Sequence, residues 1–188
     1  MTVTDTTLSG GAVTINAGST GNETISAAGD TAASKGTSLT YEAGSGTNGF
    51  TGGQENDTIY AGAGSGSFTA GSGSDTFVFI KSNLPNQTLN NFQVSTDDIL
   101  VYGTHASGGF NLGSIDNPLN PTTPTAIDPS IFVANVSGDF TSSSQRFAYN
   151  TTNGQLFYSA TGSNSSESLI ATLTGEPHIT AGNLLFEH

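Results

Sequence analysis

Between residues 50 and 79 a large apolar side chain returns every nine positions, at Phe50, Ile59, Phe68 and Phe77. Each stands in the middle of a three-residue segment of strand-forming residues, Thr58-Ile59-Tyr60 or Thr76-Phe77-Val78 for example, and glycine-rich runs fill the intervals. An apolar period of nine is neither the period of a helix nor the alternation of a long strand. It predicts short strands that each point one side chain into a shared interior, with glycine tolerating the backbone angles of the tight loops between them. Repetition of this kind marks a solenoid.

The spacing loosens on both sides. Upstream, Gly18 to Ser26 keeps the loop-then-strand form, and Gly10 to Ile15 reads as a starting turn. The interval from Ile25 to Tyr41 is not a multiple of nine, and Ala27 to Lys35 reads as an insertion of small residues. Degenerate outer turns are expected to cap the interior of a solenoid. Downstream, Phe77-Val78-Phe79-Ile80 is read as the exit from the repeat, and Leu89 to Val101 follows. Four prolines, Pro118, Pro121, Pro124 and Pro129, keep residues 117–129 out of any sheet interior. Strands are predicted at 146–149, 155–158 and 168–173, the first two joined as a hairpin through Asn153-Gly154, and Thr180 to Phe186 closes the chain. The expected fold is all-β: a parallel β-roll or β-solenoid over 1–80, best formed over 43–78, followed by a β-rich C-terminal module over 81–188.

The repeats carry more than apolar periodicity. Asp57-Thr58-Ile59 and Asp75-Thr76-Phe77, each preceded by a glycine loop, resemble the calcium-binding nonapeptide G-G-x-G-x-D-x-U-x of RTX proteins. In such a β-roll two nonapeptides make one turn, so the resemblance implies that Asp57 and Asp75 overlie one another. Calcium takes roughly six to eight oxygen ligands. The resemblance implies Ca2+ held by Asp57 and Asp75 with the carbonyls of Gly52, Gln54, Gly71 and Gly73. The middle repeat has Gly66 where the family has aspartate, the repeat before the first has Asn48, and Gly18 to Ser26 has Glu23. Asn48 and Glu23 are weaker candidate ligands for that reason. Asp98, which enters the strand Ile99 to Tyr102, is another, with a simple turn role preferred for it.

The tail from Phe147 to Phe186 likewise resembles the C-terminal regions of RTX proteins exported by type I secretion. It has Ser159-Ala160-Thr161-Gly162 where relatives carry an acidic turn, which argues against a metal site there. The final Glu187-His188 departs from the apolar ending of exported relatives.

Charge narrows the partners. Lys35, Lys81 and Arg146 face fifteen acidic residues, for a formal charge of -12. A nucleic-acid partner is excluded, because phosphates must be met by cations. Anionic membrane surfaces would repel the chain, and it has no long apolar span for membrane insertion. With no cysteine there is neither disulfide nor thiolate chemistry. An N-terminal leader is not evident, so export is expected by the type I machinery that the resemblance implies, to the extracellular space or cell surface. Self-repulsion of the acidic chain is expected to be relieved by a divalent cation, coupling calcium to folding.

Catalysis is not expected. His105, His178 and His188 fall in no metal-ligand or nucleophile motif, and adjacent strand residues such as Asp97 and Asp98 point to opposite faces. Three roles remain: a secreted structural protein that self-associates into a surface layer, filament, matrix or adhesive; the export and folding module of a larger secreted hydrolase, epimerase or toxin; and a polysaccharide- or ice-binding module using Thr24, Thr40, Thr58 and Thr76. The first is preferred. The threonine row is interrupted at Gly49 and Ser67, and threonine is favoured in strands in any case. Six N-x-[ST] matches, at Asn22, Asn56, Asn86, Asn135, Asn150 and Asn164, are weak signals in a chain of this composition.

Overall fold

The computed structural model describes residues 2–4, 11–18, 20–28, 37–80, 85–103, 109–112 and 123–187. The inserted segment after Ala28, His105, and residues 117–122 of the proline-rich stretch lie outside these residues.

Successive short strands alternate between two sheets, so that two of them make one turn of a parallel β-solenoid. The even-numbered strands β2 (Gly11–Asn16), β4 (Thr37–Glu42), β6 (Thr58–Tyr60), β8 (Thr76–Phe79) and β10 (Asp98–Tyr102) pair in parallel in one sheet. The odd-numbered strands β1 (Thr2–Thr4), β3 (Glu23–Ser26), β5 (Asn48–Thr51), β7 (Gly66–Thr69) and β9 (Gln87–Asn90) pair in parallel in the other. Phe77-Val78-Phe79 does not leave the roll, as its sequence suggested: these residues form β8 at the heart of one sheet, with β10 beside it.

The apolar period of nine becomes two facing ladders. Tyr41, Ile59, Phe77 and Ile99 stack in one sheet, and Ile25, Phe50, Phe68 and Leu89 in the other. All are buried, and Tyr41 stacks on Phe50 with ring centroids 5.2 Å apart. The same registers correct the threonine row. Thr40, Thr58 and Thr76 lie side by side without a break, whereas Thr24 belongs to the opposite sheet, in register with Gly49 and Ser67.

The C-terminal strands extend both sheets. β15 (Ser168–Leu173) adds in parallel to β9, and β16 (Leu184–Glu187) adds in parallel to β10. Beyond β15 the nine-stranded sheet continues through β14 (Gln155–Tyr158), β13 (Phe147–Asn150) and β12 (Phe132–Asn135). The hairpin predicted at Asn153-Gly154 joins β13 to β14. Thr125–Ala126, inside the proline-rich stretch, forms the short outermost strand β11 of the seven-stranded sheet, an edge position compatible with nearby proline. Phe110, Phe147 and Tyr158 fill the C-terminal end of the interior, with Phe110 and Tyr158 edge to face at 5.0 Å.

Candidate metal centre on the acid edge

The loops that precede the even strands line one edge of the roll, and there the aspartates form a column. Asp57 stands before β6, Asp75 before β8 and Asp97 before β10; they are 2 %, 1 % and 1 % exposed. Each accepts a backbone hydrogen bond from the turn before it. The Leu39 amide donates to Asp57 Oδ1 at 2.8 Å, the Asp57 amide to Asp75 Oδ1 at 2.8 Å, and the Asp75 amide to Asp97 Oδ1 at 3.2 Å. Backbone bonds alternate with these, from Thr76 to the Asp57 carbonyl and from Asp98 to the Asp75 carbonyl, both at 2.9 Å. The carboxylates therefore continue the strand ladders one residue upstream.

The loop residues expected to act as ligands gather at the same edge. Gly52, Gln54 and Gly71 line one hollow with Gly53, Ser72 and Asn91, and Gly73 belongs to the same loop as Gly71. Gly71 and Gly73 hold φ of 110° and 115°, which side chains rarely adopt. Gly52 is required for space, since a Cβ there would collide with Asp57 Oδ2 and the Ala70 carbonyl. The Gly53 carbonyl accepts the Ser72 amide at 2.9 Å. The Gly71 carbonyl receives the side-chain amides of Asn91 and Gln93, at 3.2 and 3.0 Å, so the loop after β9 closes over it.

Burial and stacking oppose the ionisation of the middle carboxylate. Asp75, in the middle, is pushed up to about 7, first by burial and then by the charges of Asp57 and Asp97, against the lowering effect of its bond from the Asp57 amide. Its Oδ2 is buried and has no hydrogen-bond partner. Arg146 is the one Lys or Arg among the described residues, and its Nη1 donates to the Ser143 and Gln145 carbonyls. No group of three or more acidic or histidine side chains converges on one point among the described residues. Any cation at this edge would therefore draw on one or two carboxylates together with loop carbonyls.

The weaker candidates fall elsewhere. Asp98 lies in register with Thr76 on the outer side of its strand, one residue past the column, where burial followed by the charge of Asp97 raises its carboxyl. Asp97 takes the column position instead. It was legible: Asp97-Asp98-Ile99 repeats the Asp-x-apolar form of Asp57-Thr58-Ile59, hidden because its step from Asp75 is 22 residues where the step from Asp57 to Asp75 is 18.

Glu23 and Asn48 are paired in register on the opposite edge. Asn48 Nδ2 donates to the Gly44 and Gly46 carbonyls at 3.1 and 3.0 Å, and the Tyr41 hydroxyl donates to its Oδ1 at 3.4 Å. One turn on, Gly66 has no side chain, and Gln87 reaches into the space from the turn beyond. Gln87 Nε2 donates to the Gly64 and Pro85 carbonyls, both at 2.7 Å. A Cβ on Gly66 would collide with Gln87 Oε1 and the Phe68 ring. Here a carboxamide nitrogen lies against the loop carbonyls. Glu23 begins this column, and its Oε2 is buried without a hydrogen-bond partner. Its charge and burial together raise the Tyr41 hydroxyl to about 12, burial being the larger cause.

No protein-family model matches this chain, and no curated protein or solved structure matches it significantly. The chain is a β-solenoid with a stacked aspartate column. The likeness to the RTX nonapeptide therefore rests on the repeats themselves, and the parallel two-strand turn and the stacking of Asp57 on Asp75 agree with the form it implies.

Proposed function

We propose that this protein is a secreted, non-catalytic, calcium-binding β-solenoid of RTX type, whose acid edge is ordered by Ca2+ and whose role is structural, in extracellular or cell-surface assembly. The observation that carries this reading is the buried Asp57–Asp75–Asp97 column, with Asp75 Oδ2 left without a hydrogen-bond partner. The donor set fits a hard cation: carboxylate and carbonyl oxygens, with neither sulfur nor imidazole among the residues that line the edge. Asp57, Asp75 and the carbonyls of Gly52, Gln54 and Gly73 would hold the ion, and Gly71 joins them if Asn91 and Gln93 release its carbonyl. Bound calcium would supply the positive charge that lets Asp75 ionise beside its neighbours. Export by a type I route belongs to the same reading, since calcium would then complete folding outside the cell.

Assembly is supported by the edge strands of the sheets, which have no further strand beside them among the described residues. β2 is the edge strand of the seven-stranded sheet, with Ala12, Thr14 and Asn16 exposed and Val13 and Ile15 half-buried. Unpaired strand edges of this kind are templates for a further copy.

A calcium titration followed by circular dichroism and sedimentation tests both parts. Expected are a saturable gain of β-structure, lost in Asp75→Asn, and growth in particle size with calcium. A spectrum and thermal midpoint that are the same in chelator and in millimolar calcium would overturn the ion reading. Monomers at every concentration and calcium level would overturn the assembly reading.

A further inference from the structure

The loop between β9 and β10, residues 91–97, reaches over the acid edge, and its backbone is anchored from two sides. Phe92 is buried against Phe77, with ring centroids 6.0 Å apart, and the Gln93 amide donates to Asp97 Oδ2 at 2.8 Å. From the C-terminal strands, Asn183 Nδ2 donates to the Val94 and Asp97 carbonyls at 2.9 and 3.3 Å. None of these contacts uses the side chain of Asn91 or Gln93.

Those side chains converge on one oxygen. Asn91 has a left-handed backbone, φ 57°, and its Nδ2 donates to the Gly71 carbonyl at 3.2 Å, where Gln93 Nε2 also donates at 3.0 Å. A carbonyl oxygen has two lone pairs, so the amides engage both. This oxygen is one of the carbonyls on which the calcium reading draws. Asp75 Oδ2, from the same loop as Gly71, is instead buried without a hydrogen-bond partner.

A cation reaching Asp75 Oδ2 breaks no hydrogen bond there, whereas to gain the Gly71 carbonyl it must displace an amide. The net worth of a neutral hydrogen bond is modest, but a pair of them is enough to move a binding equilibrium about tenfold. On the opposite edge Asn48 and Gln87 also present carboxamide nitrogens to loop carbonyls, and both are buried. Asn91 is exposed and Gln93 half-buried, so these two amides have solvent to turn into. We infer that Asn91 and Gln93 form a releasable latch on the Gly71 carbonyl, which competes with Ca2+ for that oxygen and sets the calcium concentration at which the acid edge fills. The inference rests on the calcium reading proposed above and adds to it the residues that tune affinity. Because the loop backbone is anchored independently, release requires only rotation of two side chains.

Calorimetric titration of the full chain with calcium chloride tests it, for the unsubstituted protein, Asn91→Gly, Gln93→Ala and the double variant. Glycine accepts the left-handed backbone at position 91, and melting curves in chelator establish that each protein is folded. The single variants should bind calcium about threefold more tightly and the double variant about tenfold. Side chains that merely brace the loop would give the opposite sign, since their loss would loosen the edge and weaken binding. Equal or weaker binding by the double variant would therefore overturn the latch and leave the calcium reading standing. Absence of binding in all four proteins would overturn both. A second readout needs no variant: in the unsubstituted chain the side-chain amide proton resonances of Asn91 and Gln93 should shift as calcium is added. Resonances unmoved at calcium saturation would also overturn the latch.

Discussion

At one edge of the roll the residue before each central strand is a carboxylate; at the other edge the residue that opens each central strand is a carboxamide or a glycine whose space a carboxamide fills. Asp57, Asp75 and Asp97 accept backbone hydrogen bonds and leave negative charge inside the column. Asn48 and Gln87 donate to loop carbonyls and bring no charge. Both arrangements satisfy the backbone of tight glycine loops, and each leaves a buried oxygen without a hydrogen-bond partner: Asp75 Oδ2 on the one, Gln87 Oε1 on the other. The amide oxygen carries no net charge, whereas a buried carboxylate, once ionised, also lacks a counter-charge. On the calcium reading proposed above, the difference separates an edge that folds unaided from one that a cation would order.

Substitutions can break this contrast, and the largest effect is expected at Asp75. With calcium present, Asp75→Ala should cost about 3–5 kcal/mol, the scale of removing one partner from a buried ionic pair, and much less in chelator. Equal losses under the two conditions, measured by denaturant unfolding, would remove the ion from the account. Gly66→Ala should cost about 1–3 kcal/mol through its collision with Phe68 and Gln87, and by the same amount with and without calcium. Gln87→Leu should cost about 1–3 kcal/mol, because the Gly64 and Pro85 carbonyls lose their donor, again irrespective of calcium.

The smallest effect is a slope against pH. Asp75 is raised from 3.8 to about 7 in the folded chain, so between those values the folded state holds a proton that the unfolded state has released. The contribution of Asp75 to stability in chelator is therefore full below about pH 4 and is lost as the pH rises through about 7. Calcium favours the ionised form and should flatten or reverse that slope. Thermal melts from pH 4 to 8 in chelator that rise toward neutral would contradict the assignment.

How much of this could be read from the chain depends on whether spacing stayed regular. Asp57 and Asp75 are 18 residues apart, two repeats, and their stacking followed from the repeat alone. Asp97 follows at 22, and Gln87 stands opposite Gly66 after 21 residues, so a strict count passes over both. In each case the extra residues sit in the loop, which is free to vary, while the strand register that fixes the side chain is unchanged. The C-terminal strands were visible through alternation and turn residues. Their attachment to β9 and β10 was not, because pairing between Leu89 and Leu173, or between Ile99 and Leu184, is a long-range choice made by packing. The threonine row shows the same limit: because successive strands alternate between sheets, it divides into Thr40, Thr58 and Thr76 on one sheet and Thr24, in register with Gly49 and Ser67, on the other.

The central claim, that a cation orders one edge and not the other, is tested most directly by hydrogen exchange resolved to single amides, with calcium and with chelator. The amides of Leu39, Asp57 and Asp75, bonded to the aspartate column, should exchange at least tenfold faster once calcium is removed, while those of Asn48 and Gly66 on the opposite edge should change far less. Equal protection of the two edges under both conditions, or greater loss at Asn48 and Gly66, would contradict it.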